Sequence, residues 1–227
     1  MVFKFVAHSA TVGKIASREG WLPGARYTNL RDVRRFERVG FLDIDWKNYQ
    51  FRAHLKAVCA TRPAMTVARD LVRMRDLSRV LDEAQELAQW AGLVVVVPKA
   101  TRLVEQIDLI PAEFVLGFSV PTKYGATHLP TSAFRKRAVH LLGGRPDVQR
   151  RLGDRLHVVS IDCNRFTLDA AFGDYFDGET FRPHPRGGYR RCLRESVRNI
   201  NALWDDYKLK SGARQKWAEL NRLVRPS

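Results

Sequence analysis

Asp162 ends a β-branched run, HVVSIDCN, that reaches from His157 to Asn164. A carboxylate delivered straight off a buried strand is fixed at the rim of a sheet, where a rigid scaffold holds catalytic groups. Fixed and partly desolvated, an aspartate attacks an anomeric carbon well when a second carboxylate opposes it. The other reading is an Asx-turn or helix cap, with Asp-Cys-Asn-Arg simply turning the chain. The segment FLDIDWKNYQF, Phe41–Phe51, supplies further acids. Asp43 and Asp45 sit two apart in an extended stretch, so their side chains share a face. Paired carboxylates raise one another's pKa, which suits a general acid or base near neutral pH. A strand edge whose acids pair with surplus arginines is the alternative.

Three more apolar runs end in residues able to hold a ligand: Lys99, Ser119 and the pair Gly143–Gly144. In VLGFSVPTKY and HLLGGRP a glycine at a strand end lets backbone approach a flat ligand or a phosphate, because no Cβ intervenes. Lys123 and Arg145 beside those turns are candidate phosphate ligands, with ordinary turn chemistry as the alternative. RPHPRGGYRRCLRESVR, Arg182–Arg198, carries Arg182, Arg186, Arg190 and Arg191 around Tyr189. Arginine forks grip phosphates and stack on bases, so this run is the main candidate nucleic-acid contact; a solvated basic face is the bland version.

These residues need elements to position them. Apolar runs at Phe3–His8, Phe41–Asp45, Lys56–Ala60, Leu93–Val97, Val115–Val120, Ala138–Leu142 and His157–Ile161 read as strands covered on both faces. Between the third and fourth, Leu77, Val80, Leu81, Ala84, Leu87, Ala88 and Ala91 form a helical stripe that Gly92 stops. Val12–Glu19, Arg31–Val39 and Asp147–Leu152 read as shorter helices. Such alternation means α/β, either an open doubly wound sheet or a compact, TIM-like (β/α)8 barrel. Ala25–Asn29 or Met65–Ala68 would supply the eighth strand. Neither G-x-G-x-x-G after the first strand nor G-x-x-x-x-G-K-[ST] anywhere is present, which favours the barrel. It would occupy residues 1–170. Residues 171–227 would add a basic loop at Thr167–Arg191, a helix from Arg190 to about Asp206 and a basic amphipathic tail, packed on the same domain.

Charge narrows the partners. Lys and Arg number 39 against 24 Asp and Glu, a formal net charge of +15. That excess attracts a polyanion through counterion release, so nucleic acid is the first partner to consider. The longest apolar run is far short of a membrane span of about 20 residues. Cys59, Cys163 and Cys192 are scattered, show no C-x-x-C spacing, and suit a reducing cytoplasm; they give no metal site.

The order FLDIDW, V-V-V-P, L-G-F-S, H-L-L-G-G and S-I-D-C-N resembles the tRNA-guanine transglycosylase superfamily. It is most similar to divergent phage- and prophage-type members that place 7-deazaguanine bases in DNA. The resemblance runs from about residue 3 to 170. It implies a (β/α)8 barrel with Asp162 as nucleophile and Asp43 or Asp45 as general acid/base. Gly117, Phe118 and Ser119, with Gly143 and Gly144, would line the base, and Asp70 in MTVARDL would recognise it. Lys99 and the basic residues above would hold the nucleic acid. The cysteine-rich zinc motif of the tRNA enzymes has no counterpart here, which leans towards DNA, and the family's D-S-G-G-F-Q segment is only D-I-D-W-K-N-Y-Q-F.

The implied reaction is guanine exchange through a covalent glycosyl-aspartyl enzyme. The incoming base would be a 7-deazaguanine such as 7-cyano-7-deazaguanine, with no metal or other cofactor. It would act in the cytoplasm of a phage's host, with oligomerisation left open. Two other functions compete: a non-catalytic nucleic-acid-binding protein, and a base-excising N-glycosidase using the same carboxylates with water as acceptor.

Overall fold

The structure, a computed structural model, describes residues 2–122 and 125–224. The chain forms β1 (Phe3–Ala7), α1 (Ala10–Ser17), β2 (Leu22–Arg26), β3 (Phe41–Asp43), α2 (Phe51–Thr61), β4 (Met65–Val67), α3 (Leu77–Ala88) and β5 (Leu93–Val96). There follow α4 (Leu103–Gln106), β6 (Val115–Ser119), β7 (Ala138–Leu142), α5 (Pro146–Gly153), β8 (His157–Asp162) and α6 (Arg165–Ala171). The chain ends with β9 (Asp174–Phe176), β10 (Phe181–Pro183), α7 (Tyr189–Leu203) and α8 (Ser211–Val224). β1 to β8 pair in sequential order, all parallel, and β8 closes on β1. This is the compact TIM-like barrel expected from the alternation of apolar runs.

Several elements differ from the sequence expectation. Lys56–Ala60 is not a strand but part of α2, whose His54, Ala57 and Val58 are buried at i, i+3 and i+4 spacing. The two missing strands are Met65–Val67, within one alternative segment, and Leu22–Arg26, which overlaps the other, Ala25–Asn29, only at Ala25 and Arg26. Each is short, and parallel pairing on both sides holds them despite Pro23 and Gly24 in the first. Arg31–Val39 forms only a 3-10 turn at Leu30–Asp32, then irregular chain that buries Val33 and Val39. The loop expected at Thr167–Arg191 contains most of α6 and the antiparallel hairpin β9–β10.

The barrel interior is filled from alternate strand positions. The Phe5, Phe41 and His140 rings meet there, with centroids 5.3 Å apart for Phe5–Phe41 and 5.1 Å for Phe41–His140. Met65 Sδ lies 3.6 Å from Ser160 Oγ in the same layer. The N-terminal mouth is covered by α8. Gly212 N–H donates to His157 Nδ1 (3.0 Å), Trp217 packs on Phe3, and the Leu223 carbonyl accepts from Arg38. All three contacts fall at or just before strand starts, so α8 lies over the N-terminal end and leaves the C-terminal rim clear of it. A Cβ on Gly212 would lie 1.6 Å from the Lys136 carbonyl oxygen, so only glycine permits this approach. Among the described residues no helix is long and apolar enough to cross a membrane.

Outside the β3–β4 wall, a polar chain ties α2 to the barrel. His54 is fully buried, with Nδ1 3.1 Å from Tyr49 Oη and Nε2 2.9 Å from Thr66 Oγ1; the Thr66 hydroxyl donates to the Leu42 carbonyl (2.8 Å). Burial pushes the His54 pKa down to about 4, so the ring stays neutral. The unfolded chain takes up that proton first, so this histidine's contribution to stability is intact above pH 6.5 and lost as pH falls towards 4. His54→Ala is expected to lower stability by about 2–4 kcal/mol at pH 7.5, through the cavity and the two hydrogen bonds lost to Tyr49 and Thr66. The loss should shrink at pH 5, and urea unfolding at the two pH values measures both effects.

Candidate active site

Strand parity fixes what reaches the C-terminal rim. Asp43 lies two residues beyond Phe41 on β3, and Asp162 two beyond Ser160 on β8, so both project from the interior face at the C-terminal end. A register slip supports this placement. β7 and β8 pair Val139 with Val158 but His140 with Ser160, so Val159 is an extra residue on β8. Bulges of this kind re-aim side chains beside active sites. Here the slip brings Ser160, and hence Asp162, into phase with His140.

Asp162 is 5% exposed and held from several sides. Its Oδ1 accepts from Gly143 N–H at 3.0 Å and lies 3.4 Å from His140 Nε2. Gln149 on α5 donates through Nε2 to the carbonyls of both Asp162 (2.7 Å) and Gly143 (2.8 Å), clamping the strand end to the neighbouring turn. That turn needs its glycines. Gly143 and Gly144 have φ of +60° and +85°, and a Cβ on Gly144 would lie 2.3 Å from Val120 Cγ1. The helix-cap alternative for Asp162 is not what forms, because Asn164 is the residue at the N-cap of α6 and Asp162 bonds across to β7 instead.

Asp43 is half-buried, and its Oδ1 accepts from Ile44 N–H at 2.8 Å. Its pKa is raised to about 7, first by burial and then by the charge of Asp162, with a smaller push from Asp70. The Ile44 hydrogen bond and Arg26, its register partner on β2, act the other way. Asp45 does not share this face. The strand ends at Asp43, and Asp45 begins a turn, accepting from Lys47 N–H (3.3 Å) through Oδ1 and from Asn48 N–H (3.1 Å) through its carbonyl. The acid whose charge acts most on Asp43 is therefore Asp162, 119 positions along the chain, rather than its near neighbour.

The remaining candidates divide. Asp70 lies just beyond β4 and pairs with Lys99, just beyond β5, at 2.6 Å. Asp70 thus joins the carboxylate set electrostatically, and Lys99 engages that acid. Ser119 ends β6 at the rim, its N–H donating to Thr127 Oγ1 (2.9 Å). Gly117 is buried, and a Cβ there would meet Val97 Cγ2 at 2.7 Å and Leu142 Cδ1 at 2.9 Å, so its place is taken by interior packing. Phe118 is not brought to the site. It faces away from the interior and packs edge-on against Phe134, with centroids 5.3 Å apart.

The basic residues also separate. Arg145 pairs with Asp147 at 2.9 Å and lies over the Phe181 ring at the start of β10, as does Arg165, at 5.7 and 5.8 Å. The β9–β10 hairpin therefore stands beside the turns that follow β7 and β8. Arg182 on that hairpin is ion-paired with Asp177. Arg186, Arg190 and Arg191 are exposed farther along the chain, around the start of α7, and no contact links them to the rim among the described residues. Lys123 lies outside the described residues.

Sequence reasoning missed His140 and Gln149. Both are polar and fully buried, and each touches Asp162 or its backbone. The one signal for His140 was a polar residue inside the apolar run A-V-H-L-L. Among the described residues no group of three or more His, Cys, Asp or Glu is arranged to hold a metal ion. A groove of about 620 Å³ between α2 and α3 is lined by Arg75, Arg79, Glu83 and neighbours and does not contain Asp43 or Asp162. The sequence matches a family of unknown function, DUF6610, over residues 16–205. No curated protein matches it.

Proposed function

We propose that this chain, which belongs to that family of unknown function, is a guanine transglycosylase that exchanges guanine in nucleic acid, DNA in preference to tRNA, for a 7-deazaguanine. The observation that carries the reading is the pair of acids at the barrel rim, Asp43 and Asp162, whose charges act on one another. Asp162 accepts from the Gly143 backbone N–H, and Asp43 has its pKa raised to about 7 by burial and by the Asp162 charge. Two carboxyl groups with different environments divide the work of nucleophile and proton carrier.

In the first half-reaction Asp162 attacks C1′ of a guanosine nucleotide as the C1′–N9 bond breaks. The bonding electrons leave on guanine, and the Asp43 carboxyl gives it a proton. In the second half the Asp43 carboxylate takes the N9 proton of the incoming 7-deazaguanine. That base then attacks C1′ and releases Asp162, so the proton count closes over the cycle. A duplex hides C1′ and the base, so the target nucleotide is flipped out or unpaired. Arg145, Arg165 and Arg182 around the hairpin would exchange their aspartate partners for the displaced backbone, and the net charge of +15 favours the encounter.

Incubation with DNA and isotopically labelled guanine, followed by nucleoside mass spectrometry, tests the reading. Incorporation of label is the expected result, and substitution by unlabelled 7-cyano-7-deazaguanine should follow. Abasic sites without incorporation would point to an N-glycosidase, and unchanged nucleosides to a binding protein.

A further inference from the structure

We propose that His140 is a positioning residue that orients Asp162 and decides which of its oxygens meets the sugar carbon; the inference rests on the base-exchange reading above. His140 is fully buried on β7, with Nδ1 2.8 Å from Ser160 Oγ. Nε2 has no hydrogen-bond partner, yet it lies 3.4 Å from Asp162 Oδ1. A buried ring nitrogen left unpaired in a polar neighbourhood calls for an explanation.

The Ser160 hydroxyl can meet the ring in two ways. It can accept a proton from Nδ1 and donate towards Met65 Sδ, 3.6 Å away. Nε2 would then present a bare lone pair to a carboxylate oxygen, two acceptors facing each other inside the barrel. Alternatively Ser160 donates to Nδ1, and Nε2 carries the hydrogen, aimed at Asp162. Only the second arrangement lets a neutral ring and an ionised Asp162 attract. The ring cannot easily turn aside, because Phe5 and Phe41 pack on it at centroid distances of 6.0 and 5.1 Å. The register slip at Val159 is what sets Ser160 beside His140. One extra residue in β8 thus builds the whole chain Ser160–His140–Asp162.

Oδ1 then faces two donors, Gly143 N–H and His140 Nε2–H, while Oδ2 takes no hydrogen bond among the described residues. Oδ2 is therefore the attacking atom. When the Oδ2–C1′ bond forms, Oδ1 becomes the carbonyl oxygen of the glycosyl ester and keeps its two donors. When that bond breaks in the second half-reaction, the electron pair returns to the carboxylate, and the same donors stabilise the returning charge. Loss of the His140 donor should therefore slow release of Asp162 more than its attack, and the glycosyl-enzyme should accumulate.

The test combines a spectroscopic and a kinetic measurement. Imidazole ¹⁵N NMR of the wild-type protein without substrate is expected to show His140 protonated at Nε2, with Nδ1 as acceptor. His140→Phe is expected to lower turnover about 10- to 100-fold with KM for DNA nearly unchanged and with the covalent intermediate enriched by mass spectrometry. His140→Gln, whose amide N–H reaches towards the same carboxylate, should restore most of the rate. An Nδ1–H tautomer, or exchange by His140→Phe at the wild-type rate, overturns the positioning role in an active enzyme. If the wild type exchanges no base at all, the transglycosylase reading itself fails and takes the role in turnover with it. The tautomer still decides the pairing in that case, even where a variant does not fold.

Discussion

Asp162→Asn is expected to reduce guanine exchange by at least about a thousandfold while leaving DNA affinity within a factor of about two. The substitution keeps the volume and keeps an oxygen to accept from Gly143 N–H, so the β7–α5 turn, its positive-φ glycines and the Gln149 clamp are undisturbed. What it removes is the one charged oxygen that can form a bond to C1′. Covalent glycosyl-enzyme should vanish from mass spectra of the denatured protein, and label incorporation should vanish with it. Fluorescence anisotropy with a labelled oligonucleotide reads the binding separately. A variant that still exchanges at a tenth of the wild-type rate would remove Asp162 from the role of nucleophile. Loss of binding in parallel with activity would instead mark a residue of the nucleic-acid surface.

The barrel was legible because six of its strands are apolar on both faces, from Phe3–Ala7 to His157–Asp162, and a parallel sheet covered on each side demands that pattern. LPGAR and MTV were harder to read, since each owes its conformation to neighbours on both sides rather than to its own composition. KAVCA misled for the converse reason. Its apolar residues serve a helical stripe with His54, and five residues cannot separate the two periods. The acid at Asp162 could be read from its place at a strand end, but its partner could be narrowed only to Asp43 or Asp45. Asp43 and Asp45 share a face only if the strand continues, and it stops at Asp43. The roles of His140 and Gln149 depend on a bulge and on a helix-to-strand contact across the chain, which no local pattern encodes. The arginine run was legible as surface, but which arginines adjoin the rim was settled by the hairpin, through Phe181.

Asp43→Asn should separate the proton carrier from the nucleophile and carries a signature in stability as well as in rate. Exchange is expected to fall by about a hundred- to ten-thousandfold, the range for loss of a positioned acid/base. The wild-type rate should bend near pH 7, where Asp43 titrates, and that bend should be absent from the residual activity of the variant. The sign in stability follows from the same shift. Folding raises this pKa from 3.8 to about 7, so below pH 4 the carboxyl is protonated in both states and costs nothing. Between pH 4 and 7 the folded protein still holds a proton that the unfolded chain has released, so stability falls as pH rises through this window. Above pH 7 the full penalty stands. Removing the charge should then stabilise the protein by about 1–3 kcal/mol at pH 8, after allowance for solvent at the rim, and by nothing at pH 4. His54 slopes the other way over nearly the same range, so the two titrations oppose each other in the wild-type profile between pH 4 and 7. Asp43→Asn should leave the His54 slope exposed, with stability rising steadily from pH 4 to 6.5. Asp45→Asn, in its surface turn, should change neither profile. If the asparagine variant at 43 gained no stability at pH 8 and exchanged guanine normally, Asp43 would be a rim acid facing solvent and the proton carrier would lie elsewhere.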